Sequence, residues 1–147
     1  MRRAAVLVLA SVAIALAAQE SVSTMITLAD FTSARGRRLV WEISGEAAKA
    51  VPRWDADKDA LPLSAGEAVA IAKKWAKSRC RSCDALAIEE IRLAPMPVPD
   101  FQDRWYYTIF LTPVVYGAHQ YENDITVVVL LNKNVVEPKE KEPRAYE

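Results

Sequence analysis

The stretch Ser64-Ala65-Gly66-Glu67-Ala68-Val69-Ala70-Ile71-Ala72-Lys73-Lys74-Trp75-Ala76-Lys77-Ser78-Arg79 decides how the rest of the chain is read. Ser64 stands three residues before Glu67, the spacing of a capping box, in which hydroxyl and carboxylate satisfy backbone donors that a first helical turn leaves unpaired. Pro62 discourages helix before it, because the residue ahead of a proline is pushed to extended geometry. Ala68, Ile71, Ala72, Trp75 and Ala76 recur at helical spacing and make one apolar stripe. Lys73, Lys74, Lys77 and Arg79 gather near the C-terminal end, where cations suit the negative pole of the helix dipole. The segment predicts an amphipathic helix with a solvated basic face.

Outward from it, the 147 residues are 52% hydrophobic and 26% charged, which is the composition of a folded domain and not of a disordered chain. Lysine plus arginine and aspartate plus glutamate both number 19, so no general basic field favours nucleic acid. At the N-terminus, Arg2 and Arg3 precede an apolar run from Ala4 to Ala18 that closes on Ala15-Leu16-Ala17. This order predicts a signal peptide over residues 1–18, cleaved near Ala17 or Ala18. The run falls short of the roughly twenty residues that span a bilayer. An exported chain, periplasmic or secreted, follows, with membrane contact only before cleavage. A single α+β domain is expected over 19–136, with its helix–sheet core over 62–136.

Gln19–Thr32 is mixed and carries little pattern. Arg37–Ile43 has strand composition, with Leu39, Trp41 and Ile43 on one alternate face. Trp54–Asp59 reads as a loop. Asp55, Asp57 and Asp59 alternate there, but the glycine and closing glutamate of a calcium-binding loop are missing from their offsets. Cys80 and Cys83 follow the helix. In an exported chain this pair reads first as a small disulfide. Thiol–disulfide chemistry is the alternative, but that motif normally opens a helix, whose positive pole lowers the thiol pKa. No further ligands accompany the pair for zinc.

Three strand-like segments come next. Leu86–Leu93 slips phase between Ile88 and Ile91, which predicts a β-bulge. Trp105–Thr112 alternates, with Trp105, Tyr107, Ile109 and Leu111 on one face and Tyr106, Thr108, Phe110 and Thr112 on the other. Ile125–Leu131 is almost wholly β-branched or leucine, the profile of a central strand. Asn132-Lys133-Asn134 turns the chain, with asparagine suited to the left-handed position, and Pro138 stops the return strand Val135-Val136. Glu137–Glu147 is charged and proline-punctuated, and a disordered tail is expected. Together these elements predict one main amphipathic helix packed on a curved antiparallel sheet of three to four strands.

Three pieces of the chain carry a family likeness: Leu61-Pro62-Leu63-Ser64-Ala65-Gly66-Glu67-Ala68, Arg104-Trp105-Tyr106-Tyr107, and Val127-Val128-Val129-Leu130-Leu131-Asn132-Lys133-Asn134-Val135-Val136. In this order the chain resembles the PepSY and wider cystatin-like group of small exported bacterial proteins. The resemblance implies a helix on a curved antiparallel sheet, and modulation of envelope proteases as one function. The chain lacks the Gln-x-Val-x-Gly loop of inhibitory cystatins and has Lys133-Asn134 where family hairpins carry Asp-Gly.

Catalysis finds little support. His119 is the only histidine and has no nucleophile motif beside it. Glu89 and Glu90 are strand neighbours that point to opposite faces. Four glycines form no phosphate loop, and no cofactor is expected. The chain reads as a non-enzymatic binding or regulatory module for an envelope protein or peptide. Its contact surface is expected on the sheet face away from the helix and its loops, at Tyr106, Phe110, Tyr116, His119 and Tyr121. A thiol–disulfide accessory role through Cys80 and Cys83 is the other alternative.

Overall fold

A computed structural model describes residues 24–143. The signal segment expected over 1–18 and the last residues of the expected tail lie outside them. Along the chain come β1 (Met25–Thr32), β2 (Arg38–Ser44), α1 (Gly45–Lys49), α2 (Ala65–Lys77), β3 (Ala85–Pro95), β4 (Trp105–Val115), β5 (Ala118–His119), β6 (Ile125–Leu130), β7 (Val135–Val136) and β8 (Pro138–Lys141). Short 3-10 turns at Pro99–Phe101 and Tyr121–Asn123 lie between strands.

The strands form two antiparallel sheets, one in the order β3-β4-β6-β7 with β5 added to β4, the other in the order β1-β2-β8. The expected single helix on a sheet of three to four strands is therefore corrected to eight strands in two sheets. The unassigned N-terminal stretch supplies β1. The expected tail supplies β8, which pairs with β2 from Trp41↔Pro138 to Arg38↔Lys141. Lys139 and Lys141 both reach Glu42, at 3.8 and 2.5 Å, so charge anchors this edge strand where no apolar pattern announced it.

The larger sheet is the middle layer. Helix α2 lies on one face, capped as expected: the Ser64 hydroxyl accepts from the Glu67 N–H, and the Glu67 carboxylate accepts from the Ser64 N–H at 3.1 Å. Its buried contacts are Ala68, Ala72 and Ala76, while Ile71 and Trp75 are only half-buried. Alanine at every fourth position brings the helix backbone close to the sheet, and the large side chains flank that line of contact.

The three-stranded sheet covers the other face. Leu39, Trp41 and Ile43 share one face of β2, as their alternation predicts, and Phe31 packs edge-on against both Trp41 and Phe110 of β4, at 5.9 and 5.5 Å between ring centroids. Strand β4 is thus covered on both sides. Tyr106, expected on the exposed face, is 7% exposed, and its hydroxyl donates to the Leu28 carbonyl at 2.6 Å. Leu28 is the extra residue of a bulge in β1, so its carbonyl stands outside the ladder. Tyr107 points the opposite way and donates to the Leu63 carbonyl just before α2, at 2.9 Å. Burial pushes both phenols' pKa up, and the Glu67 carboxylate adds to the rise at Tyr107.

Other local readings hold at their residues. β3 shifts register between Ile88 and Glu90, the predicted bulge, and β6 is buried from Val127 to Leu130. The hairpin after β6 differs from expectation: Lys133, not an asparagine, takes the left-handed conformation at φ 72°, while the Asn132 side chain accepts from the Asn134 N–H. No helix among the described residues is long and apolar enough to cross a membrane.

Tyr106→Phe and Tyr107→Phe should each lose about 1–2 kcal/mol in urea denaturation, because each strands a buried carbonyl, whereas Tyr116→Phe, 96% exposed, should stay within about 0.5 kcal/mol. The Ser64 hydrogen bonds hold the Glu67 carboxyl below its ordinary pKa. The stability it contributes is present above that ordinary value and declines as pH falls through the lower folded-state value. Glu67→Gln keeps the neutral cap and should show a shallower loss of Tm between neutral and acid pH.

Candidate functional site

A cleft opens where residues of the two sheets and the end of α2 come together. The turn after β1, the start of β8, the C-terminal end of α2 and the Gln120–Asp124 loop surround a cleft of about 680 Å³. A smaller recess of about 240 Å³ continues between the sheets, lined by Phe31, Leu39, Trp41, Phe110 and Tyr121. Trp41 and Leu39 border both parts, so the outer cleft has an apolar floor.

Arginines form the rim. Arg35 and Arg37 come from the β1–β2 turn, which Gly36 closes at φ 75°, and Arg79 and Arg81 come from the end of α2 and the cysteine loop. Two of the four are committed to carboxylates. Arg37 meets Glu140 at 3.4 Å, and Arg79 meets Glu137 at 2.6 Å while lying 3.6 Å over the Trp75 ring. The same Glu137 carboxylate accepts from the Trp75 indole N–H at 2.8 Å, so one side chain ties the end of α2 to the link between β7 and β8. Arg35 donates to the neutral Asn123 side chain, and Arg81 has no ion-pair partner among the described residues. Glu122 and Asp124 are the acids of the lining, and Asp124 already accepts the Thr112 hydroxyl at 2.6 Å. Counted with Glu137 and Glu140 they match the four arginines in number, and Arg35 and Arg81 are the two rim arginines with no carboxylate partner among the described residues.

Trp41 carries the one buried side-chain nitrogen or oxygen without a hydrogen bond among the described residues, its indole N–H. Leaving a buried donor unpaired costs about 1–3 kcal/mol. The ring stands where outer cleft and inner recess meet.

The residues expected at a binding surface are brought together only in part. Tyr106 is internal, and Phe110 is half-buried between Phe31 and Arg92. For Tyr106 the expectation is corrected, because the second sheet covers the face on which it was placed. Tyr116 is exposed at the tip of the β4–β5 hairpin, where Tyr116 and Gly117 both have positive φ, at 51° and 77°. His119 stacks at 5.6 Å on Tyr121 and approaches Glu89 at 3.6 Å. Of the five, Phe110 and Tyr121 line the opening, both in its inner recess. Cys80 and Cys83 lie at disulfide distance, S–S 2.22 Å, between α2 and β3, and Cys80 lines the cleft. In the Trp54–Asp59 loop, Asp55 meets Lys58 at 2.8 Å and Asp59 accepts the Asp55 N–H.

The arginines that define the rim went unread in the sequence. Arg35 lies between the unassigned stretch and the predicted strand that Arg37 opens, and only the tertiary fold sets them on one cleft with Arg79 and Arg81. The clustering of Arg35, Arg37 and Arg38 around Gly36 was the one available signal.

Comparison with protein-family models, with curated proteins and with solved structures returned no match to this chain.

Glu137→Ala should release both Arg79 and Trp75. Because the pair is solvent-exposed, the expected loss is about 1 kcal/mol or less in urea denaturation, accompanied by a red shift of tryptophan emission.

Proposed function

We propose that the protein is a non-enzymatic binding module whose cleft takes an acidic peptide segment, in the exported setting expected from residues 1–18. The observation that carries this reading is the convergence of Arg35, Arg37, Arg79 and Arg81 on one cleft with an apolar floor. Guanidinium groups match carboxylates in charge and in planar geometry, and their hydrogen bonds to carboxylates are among the stronger ones a surface can make. Arg35 and Arg81, free of carboxylate partners, supply the first contacts. Trp41, Leu39 and Phe31 offer an apolar surface for a side chain beside the acidic group.

Backbone recognition supports a peptide over a small anion. Strand β6 begins at Ile125, but β7 pairs only with Val128 and Val129. Pro138 lacks the N–H for the next rung and carries the chain into the other sheet. Ile125 and Thr126 therefore border the cleft along a strand edge that β7 does not cover, where an extended segment finds backbone partners.

Fluorescence polarisation with a labelled peptide rich in aspartate and leucine, against a lysine-rich peptide of equal length, tests the reading. Binding of the acidic peptide should weaken with added salt, and Arg35→Glu with Arg81→Glu should weaken it at least tenfold. Absence of binding, or equal binding of both peptides, would overturn the proposal.

A further inference from the structure

Strand β3 forms an edge of the larger sheet, pairing with β4 and with no other strand among the described residues. A row of unpaired backbone groups is a template for another strand unless something blocks it. The register says which residues present that row. The Met96 N–H donates to the Arg104 carbonyl, and Ala94 and Arg92 follow in the same phase opposite Tyr106 and Thr108. Alternate residues of an antiparallel strand bond to opposite neighbours. Ile91 and Leu93 therefore turn their N–H and C=O groups outward.

We infer that β3 pairs with β3 of a second copy of the chain, antiparallel and centred on Ile91 opposite Ile91. In that register, Glu90 of each copy stands directly opposite Arg92 of the other. Within one copy Glu90 and Arg92 already form an ion pair, at 2.8 Å from Nη2 to Oε2, and Arg92 is held 4.9 Å from the Phe110 ring centre. Doubling the strand gives four charges alternating in sign around a square. Centring on the residue before would set Glu90 against Glu90, and on the residue after, Arg92 against Arg92. Like charges directly opposite are destabilising in sheets, so only the Ile91 register is complementary among the three. On the other face, Ile91 is 39% exposed and Ile88 is 43% exposed. Pairing places Ile91 against its counterpart, a favourable β-branched cross-strand contact. The bulge at Glu89 interrupts the ladder on either side of the centre, so the contact is short. The two-fold relation uses one patch on both copies and closes on itself, which gives a dimer and no filament.

Sedimentation velocity of the purified chain across the micromolar range tests this, with circular dichroism to establish that each variant folds. The chain should pass from monomer to dimer with concentration. Glu90→Arg alone or Arg92→Glu alone should shift that transition at least tenfold upward in concentration, and the two together should restore it. Ile91→Pro removes an outward N–H while sparing the β3–β4 ladder, and should also abolish the dimer. A wild-type chain that stays monomeric throughout, single reversals that leave the dimer intact, or a double reversal that fails to restore it would overturn the inference.

Discussion

Two adjacent phenols hold the layers of this protein together. Tyr106 and Tyr107 are consecutive on a strand, so the pleat sends them to opposite faces. One hydroxyl reaches the Leu28 carbonyl in the smaller sheet, and the other reaches the Leu63 carbonyl at the foot of α2. Each carbonyl is buried and outside any regular ladder, so each depends on its tyrosine for a partner. The central sheet is thereby fixed to both neighbouring layers from one point in β4. The apolar burial of Ile109, Leu111 and Val127–Leu130 supplies the larger driving force, but it is non-directional. The hydroxyls set where each outer layer sits.

The sequence disclosed the locally determined elements. The Ser64–Glu67 capping box, the inner face of β2 and the bulge between Ile88 and Glu90 depend on neighbours within a few residues, and each is found where the residues placed it. What stayed hidden depends on distant partners. Met25–Thr32 alternates weakly, because a bulge at Leu28 breaks its period. Pro138–Lys141 has the composition of a tail, yet it pairs with β2, where both of its lysines reach Glu42. Missing those two strands turned a covered face into a bare one. Tyr106 and Phe110, which alternation placed correctly on the face away from α2, were then given to solvent.

The same omission concealed the cleft. Its rim is assembled from residues about forty positions apart or more, Arg35 and Arg37 on one side and Arg79 and Arg81 on the other. No local pattern joins them. Glu137 does so in space, bonding both Trp75 and Arg79 at the point where the chain leaves one sheet for the other. A proline at 138 makes that departure necessary, since it cannot donate the next rung beside β6. The strand switch thus closes the smaller sheet and also leaves the start of β6 uncovered at the edge of the cleft.

The pairing of β2 with β8 has a consequence for the order in which the molecule is completed. Arg38 and Lys141 lie at opposite ends of the described chain, yet they are rungs of one ladder. As the polypeptide emerges from the ribosome, the hairpin of β1 and β2 comes first, with Phe31 and Trp41 uncovered and no sheet to receive them. A hairpin alone is marginal in water, and contacts of this sequence separation form late because their loop entropy must be met first. The last of the described strands completes the edge of the second. Until β4 arrives to receive Phe31, the hairpin has an open apolar face, and until β8 arrives the outer edge of β2 has no partner.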